Sequence, residues 1–369
     1  MNPTTGTARC HLLAAVLLSI LPLSVVADDG CTDSLTTLET ALVRAAADRI
    51  DAILGAVADS TRALGDTYGR LAAAPGDEGP PDRERWLALR TTRGNTTGLR
   101  TWPSDLGSPP ASQAPYPGFY SFNGGELSDA VLRELDLFER LVPTVRSAYE
   151  SFPFSWVYVT TADEAMMIYP YVPIEEAVND GTPTKTLYYK AADFAGRAVG
   201  WTAPYLDLVG AGMMVTASYP IYRGDRLLGV MSRDITLKQL TASVLPHLTG
   251  DGSSALLIDA NGLAIDATDP TLAAEIDRVN TKAGAAVLHY RTAAGLEKVA
   301  TKGAVASKAA GIDALVEQVL ASIADGDTVR LDMDGQKVLA GRVARIGWLL
   351  VLMRWYPSLV VPSARASAR

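Results

Sequence analysis

The chain has 369 residues, 48% of them hydrophobic, enough to bury a substantial core in two modules joined by a helix. Its formal net charge of -8 argues against a nucleic-acid partner, because phosphate binding needs a basic face that releases counterions. No basic patch interleaved with aromatic residues occurs in the sequence.

At the N-terminus, Arg9 and His11 precede an apolar run from Leu12 to Val26, interrupted by Ser19, Pro22 and Ser24. It closes on Val25-Val26-Ala27, with acidic Asp28-Asp29 behind it. A short, proline-broken run ending in small residues predicts a signal peptide over 1–27 rather than a retained membrane anchor. The expected location is therefore periplasmic or secreted, with no transmembrane helix in the mature chain. Of the two cysteines, Cys10 lies in that leader, so the mature chain would keep Cys31 alone and no internal disulfide. Cys31 stays open between a plain thiol, an intermolecular pair and a lipidated residue.

Thr32 to about Ala74 shows helical periodicity, with Leu35, Leu38, Leu42, Ala45, Ile50, Leu54, Val57, Leu64 and Leu71 at three- and four-residue steps. Thr32-Asp33-Ser34 can cap its start, and Pro75-Gly76 ends it. A helix of about 40 residues spans ~60 Å. It should run alongside two modules or pair with a second chain. Residues 76–126 are rich in Gly, Pro, Ser and Thr and read as irregular connections with one short helix around Asp82 to Thr91, anchored by Trp86 and Trp102. Asn95-Thr96-Thr97 fits a glycosylation acceptor, which matters only in a eukaryotic secretory pathway. Leu127 to Ser151 is a second amphipathic helix, with Pro153 past its end.

From Trp156 the period becomes two. Trp156–Thr160 and Ala165–Pro170 flank Thr161-Ala162-Asp163-Glu164 as a hairpin, and Leu187 to Ala192 reads as a short turn or helix. Two longer strand-like runs follow, Met213–Tyr222 and Leu228–Ile235, joined by the polar loop Arg223-Gly224-Asp225-Arg226. Asp207 precedes the first and Asp234 closes the second, where carboxylates facing a cleft can meet a ligand. A helix is expected from Leu237 to about Leu248.

A second series then begins: strands at Ala255–Ile258 and Leu263–Ile265 about an Asn261-Gly262 turn, helices at Leu272–Val279 and Ile312–Ile323, and closing strands at Thr328–Met333, Gln336–Arg345 and Trp348–Arg354. Strands, helices and strands thus appear twice in outline, without residue-level identity between the halves. Ile346 to Met353 is too short to cross a bilayer.

Taken together, the pattern resembles the double Cache (dCache) extracytoplasmic sensor of bacterial chemoreceptors and histidine kinases. The resemblance covers the long first helix, the second helix leading into Phe154-Ser155-Trp156-Val157-Tyr158, and Tyr169-Pro170-Tyr171. It continues through Tyr188-Tyr189-Lys190-Ala191-Ala192, Trp201-Thr202-Ala203-Pro204-Tyr205-Leu206-Asp207, Val215–Tyr222 and Gly229–Leu237. It implies an α+β fold: two tandem PAS-like antiparallel-sheet modules alongside the long N-terminal helix. It also implies a ligand in the membrane-distal module. Members that bind amino acids place an aromatic pair after an arginine that holds the ligand carboxylate, and acidic residues further along hold the amine. Tyr188 and Tyr189 match the pair, and Asp207 and Asp234 match the acids. Thr186 stands at the arginine position and Lys185 beside it, and an ammonium does not reproduce the bidentate fork of a guanidinium. A small amine or other cation is therefore the expected ligand.

Each candidate also has a structural reading. Asp207 can hold the turn before Gly210, and Asp234 can cap the helix beginning near Thr236. Tyr188, Tyr189, Trp156, Tyr169 and Tyr205 can wall a pocket around a cation or simply pack in the core. Catalysis finds little support. His247 and His289 have no metal-ligand spacing, and there is no Gly-x-Ser-x-Gly elbow or phosphate-cradling loop. Asp332-Met333-Asp334-Gly335 reads as a hairpin turn rather than a calcium loop. No catalytic residue, metal or cofactor is expected.

The expected layout is a leader over 1–27, the long helix over 28–75, a membrane-distal ligand-binding module over 76–248, a membrane-proximal module over 249–356 and a tail over 357–369. The expected partners are a small-molecule ligand, a membrane-bound receptor or kinase, and a second copy pairing along the N-terminal helix. An extracellular interaction module with a vestigial pocket and an uncharacterised hydrolase are the competing readings, and the chain can equally be a piece of a larger receptor.

Overall fold

The structure is a computed structural model that describes residues 29–74, 80–99, 116–122, 127–151, 156–173, 182–207, 210–248, 252–299, 302–309, 311–323, 326–333 and 336–355. The expected leader with Cys10, the Trp102 anchor, the Asp334-Gly335 turn and the tail over 357–369 lie outside them. The chain divides into two compact units, Met1–Glu39 and Thr40–Arg369. Within the first, the described part is the opening of a helix; all that follows concerns the second.

Helix α1 spans Asp29–Ala73, starting three residues ahead of the expected cap. Its interior is dense in alanine and leucine, which lose little entropy in a helix. Val43, Ala47, Ile50, Leu54 and Val57 point into one buried cluster, while Leu64 and Tyr68 enter another. Each fully buried aliphatic side chain contributes roughly 1.5–3 kcal/mol.

The first sheet contains nine strands among the described residues. Eight lie in the order β1-β2-β3-β5-β4-β9-β8-β6, and β7 pairs with β8 off that path. These are β1 Arg90–Arg93, β2 Thr96–Leu99, β3 Gly118–Ser121, β4 Val157–Thr161, β5 Ala165–Tyr169, β6 Gly200–Trp201, β7 Tyr205–Leu206, β8 Met213–Arg223 and β9 Arg226–Thr236. Every ladder in it is antiparallel. The short helix α2, Arg83–Ala88, and the long α3, Asp129–Ser151, belong to the same half. Residues 76–126 are thus not merely irregular connections: three strands stand there. β1 is exposed along its whole length and β2 buried along its whole length, so neither shows the alternation by which strands are recognised. Asn95, in the turn between them, donates its side-chain amide to the Phe122 carbonyl (2.8 Å).

A four-residue helix, α4, occupies Leu187–Lys190, and α5 covers Leu237–Ala242. The expected helix to Leu248 is broken there. Leu245–Leu248 is a separate 3-10 turn, and Pro246 within it has no N–H to continue an α-helical ladder. Thr236, not Asp234, caps α5, in a reciprocal capping box with Gln239.

The second sheet has the order β11-β10-β16-β15-β14, from β10 Ser253–Ile258, β11 Ala264–Ala267, β14 Thr328–Met333, β15 Gln336–Val343 and β16 Trp348–Trp355. Helices α6, Pro270–Ala283, and α8, Ile312–Ser322, pack on one face of it. Between them lie the short α7, Ala293–Leu296, and a two-residue parallel ladder, β12 Leu288–His289 with β13 Val305–Ala306, which the sequence did not suggest. The other face joins α1 and the first sheet in one hydrophobic cluster, through Leu257, Leu339, Leu350 and Leu352 on one side and Val215, Ala217 and Ile235 on the other.

α1 runs against both sheets. A Cβ on Gly65 would meet the Tyr219 ring of β8 at 2.6 Å, and one on Gly341 of β15 would meet Val43 at 3.2 Å. The fold is therefore α+β, two antiparallel sheets beside one long helix. No helix among the described residues is long and apolar enough to cross a membrane.

Candidate functional site

Strand alternation sorts the first sheet's side chains. Val157 and Val159 of β4, with Ala165, Met167 and Tyr169 of β5, face α3. Tyr158, Met166 and Ile168 take the opposite face, joined by Tyr120 and Phe122. On that second face opens a cavity of about 340 Å³. Its apolar wall is Tyr120, Phe122, Met166, Ile168 and Val172, and the Tyr120 hydroxyl donates to the Val172 carbonyl. Trp156, Tyr158, Tyr188 and Tyr205 form an aromatic wall, with the Tyr158 and Tyr188 rings edge to face at 5.3 Å. Pro183, Thr186 and Leu187 come from the turn at α4, and Gly284 from the end of α6.

Two carboxylates reach this space. Asp234 is 4% exposed, and its Oδ1 accepts from the Thr216 hydroxyl at 2.7 Å and the Tyr158 hydroxyl at 3.0 Å. Thr216 in turn meets the Tyr205 hydroxyl at 2.7 Å, while Thr202 Oγ1 accepts the Thr216 backbone N–H at 2.9 Å. Burial pushes the Asp234 carboxyl up to about 7; the hydrogen bonds pull it down, and the neighbouring Asp207 adds to the rise. The hydroxyls of Tyr158 and Tyr205 are pushed well above their usual range, by burial first and then by the Asp234 charge. Asp207 does two things. It lines the cavity, and its Oδ2 accepts the Ala211 N–H at 2.8 Å, holding the turn through Gly210. Its own N–H donates to the Gly212 carbonyl at 3.0 Å.

Of the seven residues singled out in the sequence, Trp156, Tyr188, Asp207, Asp234 and Tyr205 come together here. Tyr189 and Tyr169 do not. Tyr189 follows Tyr188 on one helical turn and so points elsewhere; it packs on Phe194 with ring centroids 5.9 Å apart, beside Ala192 and Val230. Tyr169 falls on the α3 face by strand parity, fully buried and edge-on to Tyr149 at 5.2 Å. Tyr158 and Thr216, the direct partners of Asp234, were not singled out. Their signal was register: Thr216 pairs with Asp234 across β8 and β9, and Tyr158 stands on the strand beside them. Thr186, where the resemblance expects an arginine, lines the cavity and accepts the Tyr189 N–H as the cap of α4. No lysine, arginine or histidine occurs among the described lining residues. His289 is buried elsewhere, its Nδ1 2.8 Å from the Val287 carbonyl oxygen, and no metal-holding group of acids, histidines or cysteines occurs among the described residues.

Residues 142–242 match a family model described as methyl-accepting chemotaxis protein-like, first PDC sensor domain. This part of the chain is thus similar to a first PDC sensor domain, in line with the dCache resemblance of the sequence. All the lining residues except Tyr120, Phe122 and Gly284 lie inside the match. Two relatives carry the name methyl-accepting chemotaxis protein. The methyl-accepting chemotaxis protein McpC of Bacillus subtilis is 35% identical over 105 residues, 28% of this chain and 16% of that protein. McpA of Pseudomonas putida is 40% identical over 85 residues, 22% of this chain and 13% of its own length. The chain thus spans less than a fifth of the length of these relatives. Among solved structures, the chain is similar to the ligand-binding domain of the amino acid chemoreceptor PctB of Pseudomonas aeruginosa in complex with L-Arg (12% identity, 91% of this chain and 100% of that one, TM-score 0.45). The ligand-binding domain of Campylobacter jejuni chemoreceptor Tlp3 in complex with L-valine has 14% identity, covers 88% of this chain and 94% of that one, and has a TM-score of 0.48.

Proposed function

We propose that the cavity binds a small cation, an amine-bearing molecule, and that the chain is the exported sensory part of a signalling system. The lining carries this reading: two carboxylates, an aromatic wall of Trp156, Tyr158, Tyr188 and Tyr205, and no cationic residue among those described. An ammonium placed between Asp207 and Asp234 would donate to both carboxylates while its carbon skeleton packs on the rings, where the ring quadrupole favours positive charge. Asp234 would then be held ionised by the ligand's own charge. Thr186 offers a hydroxyl already engaged in the α4 cap, so a ligand carboxylate would find no guanidinium there.

In this reading residues 76–248 form the ligand-binding module distal to the membrane, 249–356 the proximal one, and 28–75 the helix that links them to a membrane-bound receptor or kinase. Export through the leader over 1–27 would place the cavity in the periplasm or outside the cell. In the same reading two copies pair along that helix, where Leu42 is exposed. Binding would order Asp234 and its partners and so bias how β9 sits against α1.

A thermal-shift screen against amines, amino acids and simple carboxylates tests the reading. Amines should raise the melting temperature, and Asp234→Ala should abolish that rise. A rise with carboxylates alone would overturn the ligand class. No rise with any compound would favour an interaction module whose pocket is vestigial.

A further inference from the structure

A second cleft, of about 770 Å³, lies away from the cavity, between the C-terminal end of α1, the first half of α3 and the tip of the β8–β9 hairpin. Four arginines line it: Arg133 and Arg140 from α3, Arg223 and Arg226 from the hairpin. Three acids share it, and each is engaged. Asp136 accepts the Trp86 indole N–H at 2.9 Å, Glu134 accepts the Thr161 hydroxyl at 3.1 Å, and Asp163 lies 3.8 Å from Arg226. Arg223 donates to the Ala72 carbonyl at the end of α1 (3.1 Å). Arg133 and Arg140 have neither a hydrogen bond nor an ion pair among the described residues.

The spacing of these two is informative. Residues seven apart on a helix share a face and lie ~10 Å apart along the axis. Leu137 sits between them on that face, and Leu71 and Leu228 add apolar surface opposite. Burial also pushes the Glu134 carboxyl up to about 7, which weakens the negative side of the cleft near neutral pH. Two forked donors with an apolar strip between them match a molecule with a carboxylate at each end and a short hydrocarbon middle.

We infer that this cleft is a second binding site, selective for small dicarboxylates, with Arg133 and Arg140 each taking one carboxylate. The site stands apart from the cavity and differs from it in sign, so one module would report on two chemically opposite solutes.

Titration calorimetry of the full chain with glutarate, butyrate and inorganic phosphate at low ionic strength tests this. Both arginines are exposed, so their replacement leaves the core intact, and circular dichroism of each variant verifies that. Glutarate should bind, and Arg133→Ala with Arg140→Ala together should weaken it by about tenfold or more, as loss of charge-assisted pairs requires. Butyrate and phosphate should bind about tenfold more weakly than glutarate, since neither meets both arginines. Asp234→Ala should leave glutarate binding unchanged, which keeps this site distinct from the amine cavity. The inference is overturned by no heat with glutarate, by equal binding in the double variant, by phosphate binding as tightly as glutarate, or by loss of glutarate binding in Asp234→Ala.

Discussion

Arg233 and Asp234 are consecutive residues of β9 that serve opposite faces of one sheet. Asp234 enters the cavity, held by Tyr158 and Thr216. Arg233 enters the helical side, where its guanidinium donates to the Ser60 hydroxyl of α1 and, at 2.9 Å, to the Ala148 carbonyl of α3. The period of two in a strand makes this division unavoidable. A ligand that displaced Asp234, as proposed, would act on the strand that also grips α1, the element that runs past both sheets.

The grip should be measurable as stability. Arg233 is 1% exposed, and burial lowers its guanidinium to about 10. Replacing it with alanine leaves the Ala148 carbonyl and the Ser60 hydroxyl without this donor and opens a void between sheet and helices. The expected cost is about 2–4 kcal/mol in urea denaturation. Arg233→Lys should recover only part of it, because one ammonium cannot span both acceptors in the guanidinium's geometry. A loss below about 0.5 kcal/mol in the alanine variant would show that the buried charge contributes nothing net, as some buried ion groups do.

The long helix, the hairpin at 157–169 and the strands of β8 and β9 were legible because each is long, periodic and bounded by turn residues. Asp207 and Asp234 stand out in the sequence as acids beside the two long strands, although Asp234 lies within β9 and not at its end. What the sequence hid has specific causes. β1 and β2 carry no alternation, since one is wholly exposed and the other wholly buried. Tyr188 and Tyr189 look equivalent as a doublet, yet adjacent positions on a helix diverge by about 100°, so only one reaches the cavity. Tyr169 is displaced by strand parity alone. The arginine cleft is invisible in sequence because α1, α3 and the hairpin tip meet only in the fold.

Ionisation of Asp234 sets a pH dependence whose sign can be worked out. Its folded-state value near 7 lies above the ordinary 3.8, so the folded protein holds this proton more tightly than the unfolded chain. The stabilisation this gives is full below about 4 and is lost as pH rises toward 7 and beyond. Asp234→Asn should therefore raise the melting temperature of the ligand-free protein above pH 7 and leave it nearly unchanged at pH 4. Amine binding should run the other way. It needs the carboxylate, so affinity should fall by up to about tenfold per pH unit below 7. Affinity that is flat between pH 5 and 8 would remove Asp234 from the ligand.

Tyrosines inside and outside the cavity should separate cleanly. Tyr158→Phe removes one donor to Asp234, and Thr216→Val removes another together with its link to Tyr205. Each should weaken amine affinity by about tenfold to a hundredfold, in keeping with a hydrogen bond to a charged group. Tyr189→Phe should leave affinity within about twofold, since that ring packs on Phe194 outside the lining. Calorimetric titration with the best amine from the thermal screen decides the matter. Equal losses at Tyr158 and Tyr189 would mean that the ligand seats elsewhere.

The position of α4 depends on a glycine. Gly200 of β6 pairs with Ser218, and a Cβ there would stand 1.8 Å from the Ala191 carbonyl oxygen and 3.1 Å from the Asp193 nitrogen. Both obstacles are backbone, so no rotamer change relieves them. Ala191 is the residue that ends α4, and Ser218 Oγ donates to the Tyr188 carbonyl at 2.6 Å. Pushing these segments apart to admit one methyl group must move the helical turn that carries Tyr188 against the cavity. Gly200→Ala should therefore cost about 1–3 kcal/mol of stability and weaken amine binding beyond what the remaining folded fraction explains. Measuring both on one sample separates the two effects. If stability falls while the affinity of the folded protein is unchanged, the turn has moved as a whole and Tyr188 does not contribute to holding the ligand.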